Sequence, residues 1–172
     1  MTTLSWVFGI LGMFTNILIY QQKTRKRLLL AKLGSDCCWG LHYGFLGAWS
    51  GMAICVIGTV RETIFINEKR KWAQGKKWLI VFMALSVLSA IVTWKNAFSL
   101  LPAIGSILAV FSFWVGSPKL TRILAIPIST CFIIYDLFCY SYVGLINESI
   151  VIISTVVAII RSAHMEKATT QK

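Results

Sequence analysis

Residues 78–94 read WLIVFMALSVLSAIVTW, a run without one charged side chain, bounded by Lys76 and Lys77 before it and Lys95 after it. A helix needs about 20 mostly apolar residues, with about 17 as the lower bound, to cross the hydrocarbon of a bilayer. Working outward from this run, comparable stretches recur at Leu4–Tyr20, Leu28–Gly47 and Ser50–Ile66 on its N-terminal side. On the other side stand Leu100–Gly116, Ile123–Tyr142 and Leu145–Ala163. Ala48 and Trp49 make a short turn between the second and third runs, and Gly144 falls at the last turn. Lipid offers no partner to backbone N–H and C=O groups, and none of the runs shows the period-two alternation of a barrel strand. The expected fold class is an all-α membrane protein with seven transmembrane helices.

Composition excludes the alternatives. Of 172 residues, 57% are hydrophobic and 13% charged, with a mean hydropathy of +0.74; soluble domains are about 45–50% apolar and about 25% charged. So many apolar and aromatic side chains would not stay disordered. The five cysteines all lie inside apolar runs, which argues against a disulfide-stapled module.

The net charge of +11 is accounted for by orientation, because Lys and Arg collect in short loops on the cytoplasmic side. With the N-terminus outside and seven crossings, Lys23, Arg25, Lys26, Arg27, Lys69, Arg70, Lys71, Lys76, Lys77, Lys119, Arg122, Lys167 and Lys172 all fall inside. Lys32 and Arg161 sit at inner helix ends, from which they reach the headgroups. Only Lys95 falls outside, and only Arg61 stays within a span. The basic residues therefore require no nucleic acid partner; the expected partners are the lipid bilayer and a small polar solute. The first run lacks a basic segment before it and a small-residue cleavage pattern, so it is not read as a signal peptide.

Internal repetition organises the chain. A shift of 94 residues aligns Leu30, Ala31, Ser35 and Cys37 with Leu124, Ala125, Ser129 and Cys131. A shift of 96 aligns Ile54, Ile57, Thr59, Val60 and Ile64 with Ile150, Ile153, Thr155, Val156 and Ile160, and a shift of 93 pairs Gly12 with Gly105. The reading is a 3+1+3 arrangement: a single membrane domain over 1–172, with a first three-helix bundle at 4–66, a basic loop and linker helix at 67–95, a second bundle at 100–163 and a cytoplasmic tail at 164–172. The odd linker makes the two bundles parallel repeats, as in carriers whose halves rock about a site near the midplane.

Ionisable side chains within spans mark function by default. His42 and Asp136 correspond under the shift of 94 and are expected to meet across the seam between the halves. Asp36 lies near the middle of the second helix and is expected to pair with Arg61 on the third. Asn16 is the one amide of the first helix, and Trp39 and Tyr135 wall the expected pathway. Glu62 and Glu148 are weaker candidates because they lie nearer helix ends, and Glu148 with Asn147 also reads as a helix-start cap. Gly40, Gly44 and Gly47 recur at one-turn spacing and admit close helix approach. No catalytic or phosphate-binding motif is present, the adjacent Cys37 and Cys38 point in different directions from a helix, and the seventh helix has no lysine for a retinal Schiff base before Lys167. Neither an enzyme, a cofactor nor a bound metal is expected. Oligomerisation is optional, since seven helices suffice for a pathway. The alternative to a carrier is a non-transporting subunit or scaffold with a dry, filled centre.

Leu100-Leu101-Pro102-Ala103-Ile104-Gly105-Ser106, Lys119-Leu120-Thr121-Arg122, Ile159-Ile160-Arg161, His42 and Arg61 together resemble the YgjV family of bacterial inner-membrane proteins, over nearly the whole chain. That family is similar to the SWEET and PQ-loop group, which implies the 3+1+3 arrangement and passage of small metabolites. The Pro-Gln signature of that group reads Tyr20-Gln21-Gln22 here. The resemblance also implies that Thr59 and Thr155 stand where SWEET carriers present asparagine on the third and seventh helices, and that Pro127 takes a hinge position.

Overall fold

The backbone polar groups of the apolar runs must find partners, and each run satisfies them internally as a helix. The structure, a computed structural model, describes residues 3–21, 25–67, 69–73, 75–115 and 118–170. Among these there are seven α-helices and no strand: α1 (Thr3–Gln21), α2 (Arg25–Phe45), α3 (Trp49–Ile66), α4 (Lys77–Val92), α5 (Leu100–Val115), α6 (Pro118–Phe138) and α7 (Tyr142–Thr170). Single 3-10 turns at Lys71–Ala73 and Ala97–Ser99 precede α4 and α5. The helices α2 and α6 start earlier than the apolar runs do, at Arg25 and Pro118, because a charge ends an apolar run without ending a helix. Lys23, Gly116 and Lys172 lie outside the described residues, as do Gln22 and the side chains of Arg25, Lys119, Arg161 and Lys167.

Two hairpins end in the same way. After α2, the Gly47 amide donates to the Gly44 carbonyl (3.1 Å) and the Ala48 amide to the Tyr43 carbonyl (2.9 Å), with Gly47 at φ +67°. This is a Schellman turn, which needs a left-handed residue just past the helix. After α6, Tyr140 donates to Leu137 (3.4 Å) and Ser141 to Asp136 (2.9 Å), with Tyr140 at φ 57°. The turns match residue for residue at a shift of 93, so Tyr43 corresponds to Asp136. Turn geometry thus corrects the expected correspondence of His42 with Asp136: one residue is about 100° of rotation on a helix.

The helix α2 packs against α1 and α3, and α6 against α5 and α7; α4 packs on α5 and α3, while α1 meets α7 and α3 meets α5. Lys95 Nζ donates to the Gly47 carbonyl (3.0 Å), and Ser50 Oγ to the Thr93 carbonyl (3.2 Å). The α2–α3 turn, the α4–α5 link, the α6–α7 turn and the start of α1 therefore share one end, called here the turn end. The opposite, basic end carries Lys69, Arg70, Lys71, Lys76, Lys77 and Arg122.

Burial is inverted relative to a water-soluble protein. His42, Asp136, Ser5, Ser86 and Ser141 are fully buried, whereas Ile80, Ile91, Val92 and Ile153 keep about two thirds of their surface or more. By length and composition two helices are clear membrane spans, Trp49–Ile66 and Tyr142–Ile160; Thr3–Ile19, Lys77–Val92 and Ala97–Ser112 are apolar but shorter. This is fewer than the seven expected, partly because α2 and α6 include charged residues at their basic ends.

Candidate functional site

Three hydrogen bonds join α2 and α3 to α6 and the turn that follows it. The Tyr43 hydroxyl donates to Asp136 Oδ1 (2.8 Å), and the Gly51 amide donates to the Tyr135 hydroxyl oxygen (3.0 Å). The His42 ring donates through Nδ1 to the Ser5 carbonyl (2.6 Å) and holds Nε2 at 2.8 Å from the Ser141 hydroxyl. Trp39, Tyr43, Ala48, Cys55, Tyr135 and Val143 form an apolar cluster around these groups. Two Schellman turns explain the placement, since each sets Tyr43 or Asp136 in the last helical turn, where its side chain projects toward the other half. Asp136 Oδ2 has no hydrogen-bond partner among the described residues. The α7 backbone passes so close to Asp136 that a Cβ at Gly144 would lie 2.6 Å from Asp136 Cγ.

Below this closure a cavity of about 620 Å³ extends toward the basic end. From α1 it receives Asn16, from α2 Lys32, Asp36, Trp39 and Tyr43, from α3 Gly58 and Arg61, and from α7 Asn147 and Glu148. Its wall includes Arg122, which is exposed, so the cavity reaches the surface at the basic end. Lys32 Nζ pairs with Asp36 Oδ1 at 2.9 Å, one helical turn apart. Arg61 donates through Nε (3.2 Å) and a terminal nitrogen (2.9 Å) to Glu62 Oε1. Glu62 Oε2 lies 3.6 Å from where a Gly58 Cβ would stand, and Asp36 Oδ2 is closer still, so only glycine leaves room for both carboxylates there. Across the cavity Asn16 Nδ2 donates to Asn147 Oδ1 (3.0 Å), and Asn147 Nδ2 to Glu148 Oε1 (2.9 Å).

Four of the expected residues, Asn16, Asp36, Trp39 and Arg61, line the cavity. His42, Tyr135 and Asp136 belong to the closure at the turn end. The expected Asp36–Arg61 pair is replaced by Lys32–Asp36 and Arg61–Glu62, because each charge finds an opposite one on its own helix. The expected meeting of His42 with Asp136 is likewise replaced: Tyr43 takes the carboxylate and His42 takes Ser5 and Ser141. Thr59 follows Gly58 by one residue and turns away from the cavity, lying 3.8 Å from Cys37 Sγ. Thr155 is buried one turn past Val151, the last α7 residue of the cavity wall. Neither threonine contributes to the lining.

Four contributors stand outside the expected set of site residues. Lys32 was assigned to headgroups, although its spacing of four from Asp36 signals a helical ion pair. Asn147 reads as part of a cap and Glu148 as a weaker candidate, whereas Asn147 is buried and bonded to α1. Tyr43 carried no signal beyond that of an aromatic in an apolar run. Pro127 is accommodated inside α6 and is exposed. Among the described residues no three His, Cys, Asp or Glu side chains gather as metal ligands.

No curated protein and no solved structure matches the chain. The family model described as bacterial inner membrane protein (Imp-YgjV) matches residues 3–166. Aliphatic side chains on the outer surface suit a protein of that location, and the chain belongs to this YgjV family of bacterial inner membrane proteins.

Proposed function

We propose that the chain crosses the inner membrane seven times, N-terminus outside and C-terminus in the cytoplasm, as two parallel three-helix bundles joined by α4, and that it carries a small polar solute by alternating access. The observation that carries this reading is the charged cavity of about 620 Å³, reaching the surface at the basic end and closed by hydrogen bonds at the turn end. A scaffold is stabilised by filling its centre. An open centre forfeits packing contacts and leaves ion pairs whose desolvation is expensive, a poor arrangement unless something enters.

The topology rests on several supports. Aliphatic side chains face outward on α1, α4 and α7, and the basic residues gather at one end. The two Schellman turns share a register. A Cβ at Gly12 would stand 3.0 Å from the Trp39 ring of α2, and one at Gly105 2.9 Å from the Phe132 ring of α6, so each half uses a glycine of its first helix to seat an aromatic of its second. The contacts of α1 with α7 and of α5 with α3 exchange under the same repeat. In this reading the structure is open to the cytoplasm, and rocking the bundles breaks the three links at the turn end while closing the basic end. The deciding experiment is uptake into proteoliposomes from pooled metabolites, comparing the parent with Arg61→Ala and Asp136→Asn. Flux in the parent that falls in both variants supports the reading. Flux no faster than in empty vesicles for every pool refutes it.

A further inference from the structure

The carrier reading above is taken as the starting point, and the question is what the cavity holds. Its two ion pairs are unequal. The side chains of Arg61 and Glu62 keep 4% and 1% of their surface; Arg61 touches the cavity and Glu62 does not, so that pair reaches the space with one partner only. Lys32 and Asp36 keep 23% and 12%, and both line the cavity. An entering solute therefore meets the Lys32–Asp36 pair.

Both side chains of this pair face the cavity, so a solute can approach either partner and take the other's place. A solute that brings its own carboxylate to Lys32 and its own ammonium to Asp36 converts one pair into two and leaves no charge alone. A solute with a single charge satisfies one partner and strands the other in a desolvated site, which is the costly outcome for buried charge. A neutral polyol that separates the pair strands both. The opposite wall offers Asn16, Asn147 and Glu148, polar groups suited to the remaining hydrogen bonds, while Trp39 and Tyr43 form an aromatic ceiling beneath the closure. The cavity volume lies within the range of small-molecule sites, about 300–1,000 Å³.

We propose that the ligand of this cavity is a small zwitterion, an amine and a carboxylate on one short carbon frame as in an α-amino acid, with its carboxylate on Lys32 and its ammonium on Asp36.

The test uses the purified full-length protein in detergent, titrated by calorimetry with glycine, L-alanine, L-serine and L-glutamine. Acetate, propionate, methylamine and ethylamine serve as singly charged halves, and glucose as the neutral probe. At least one zwitterion is expected to bind with a Kd about tenfold or more below those of the halves and of glucose. Lys32→Gln is expected to bring the zwitterion level with the amines, Asp36→Asn to bring it level with the carboxylates, and Lys32→Arg to retain binding. Should the neutralised variants fail to fold, the parent's selectivity series decides by itself. The inference is overturned if none of the four zwitterions binds, if a half or glucose binds as tightly, or if folded Lys32→Gln and Asp36→Asn proteins bind like the parent. Proteoliposomes that pass glucose or propionate but no zwitterion overturn it while leaving the carrier standing. A zwitterion that binds selectively yet never crosses supports the ligand and removes the carrier.

Discussion

Replacing Tyr43 with Phe removes one hydroxyl, a hydrogen-bond donor, and almost nothing else. The hydroxyl donates at 2.8 Å to Asp136 Oδ1, both residues are buried, and Oδ2 of the same carboxylate has no partner among the described residues. The variant thus leaves Asp136 without its link to α2. Hydrogen bonds between membrane helices average about 0.6 kcal/mol and reach about 1.7, while bonds to charged groups in proteins run about 1.5–3. A value of about 1–2 kcal/mol covers the overlap, equivalent to a shift of about 5- to 30-fold in a two-state ratio. If the bond exists only while the turn end is closed, the population open at that end rises by that factor. Cys55, which lines the cavity, reports it once Cys37, Cys38, Cys131 and Cys139 are replaced by Ala. A membrane-impermeant maleimide applied to the turn end is expected to label Cys55 about 5- to 30-fold faster in Tyr43→Phe than in the parent. Labelling within twofold of the parent, in a variant with unchanged thermal stability, refutes the assignment of this bond to the closure. Loss of stability without faster labelling refutes it too, since the bond would then persist in both states.

Other consequences are measured as stability in detergent. Arg61→Met alone strands Glu62, buried to 1% of its side-chain surface, and is expected to cost about 3–5 kcal/mol, most of which returns in the Arg61→Met/Glu62→Met double variant; additive losses in the unfolding titration contradict this. Gly144→Ala places a methyl 2.6 Å from Asp136 Cγ and Ser141 Oγ and is expected to cost about 1–3 kcal/mol by overpacking. Gly34→Ala meets nothing within 4 Å and is expected to raise stability, by up to about 1 kcal/mol, through helix propensity; equal midpoints for the two alanine variants are incompatible with the packing described. Tyr140→Gly relieves a left-handed residue at φ 57° and is expected to gain about 1 kcal/mol; a lowered melting temperature contradicts it.

The helices were largely legible because a long apolar run has few side-chain partners for its backbone and must satisfy it internally. Residues 78–94 accordingly contain most of α4, and the turn at Ala48 and Trp49 falls where α2 gives way to α3. Partner choice was less legible. Asp36 and Arg61 both line the cavity, but a charged side chain takes the nearest opposite charge, and both find one on their own helix. Position within a turn decided the rest. The segment alignment at 94 pointed to His42, whereas the hairpin geometry runs at 93 and selects Tyr43, a residue that hydropathy reads as packing. The polarity of Asn147 was visible, but its contact with Asn16 across 131 residues depends on the α1–α7 approach.

The turn end is held by side-chain hydrogen bonds, and under the proposed repeat their pairing has a simple origin. If one bundle arose as a copy of the other, a residue at the seam faces its own counterpart. Two carboxylates there would repel, and two tyrosines would offer no strong acceptor. Divergence of that one turn position into Tyr43 and Asp136 converts a self-contact into a donor and an acceptor, joined at 2.8 Å. With Gly51–Tyr135 and His42–Ser141, the seam holds three links, together worth about 2–5 kcal/mol at about 0.6–1.7 kcal/mol each. A ligand shifts an equilibrium only by its differential affinity for the two states, so in the proposed carrier opening the turn end would demand a solute that binds the rearranged cavity more tightly by a comparable amount. The Lys32–Asp36 pair suits that demand. It is close enough to solvent to exchange partners and, once exchanged, ties the first bundle to whatever the solute touches on α7.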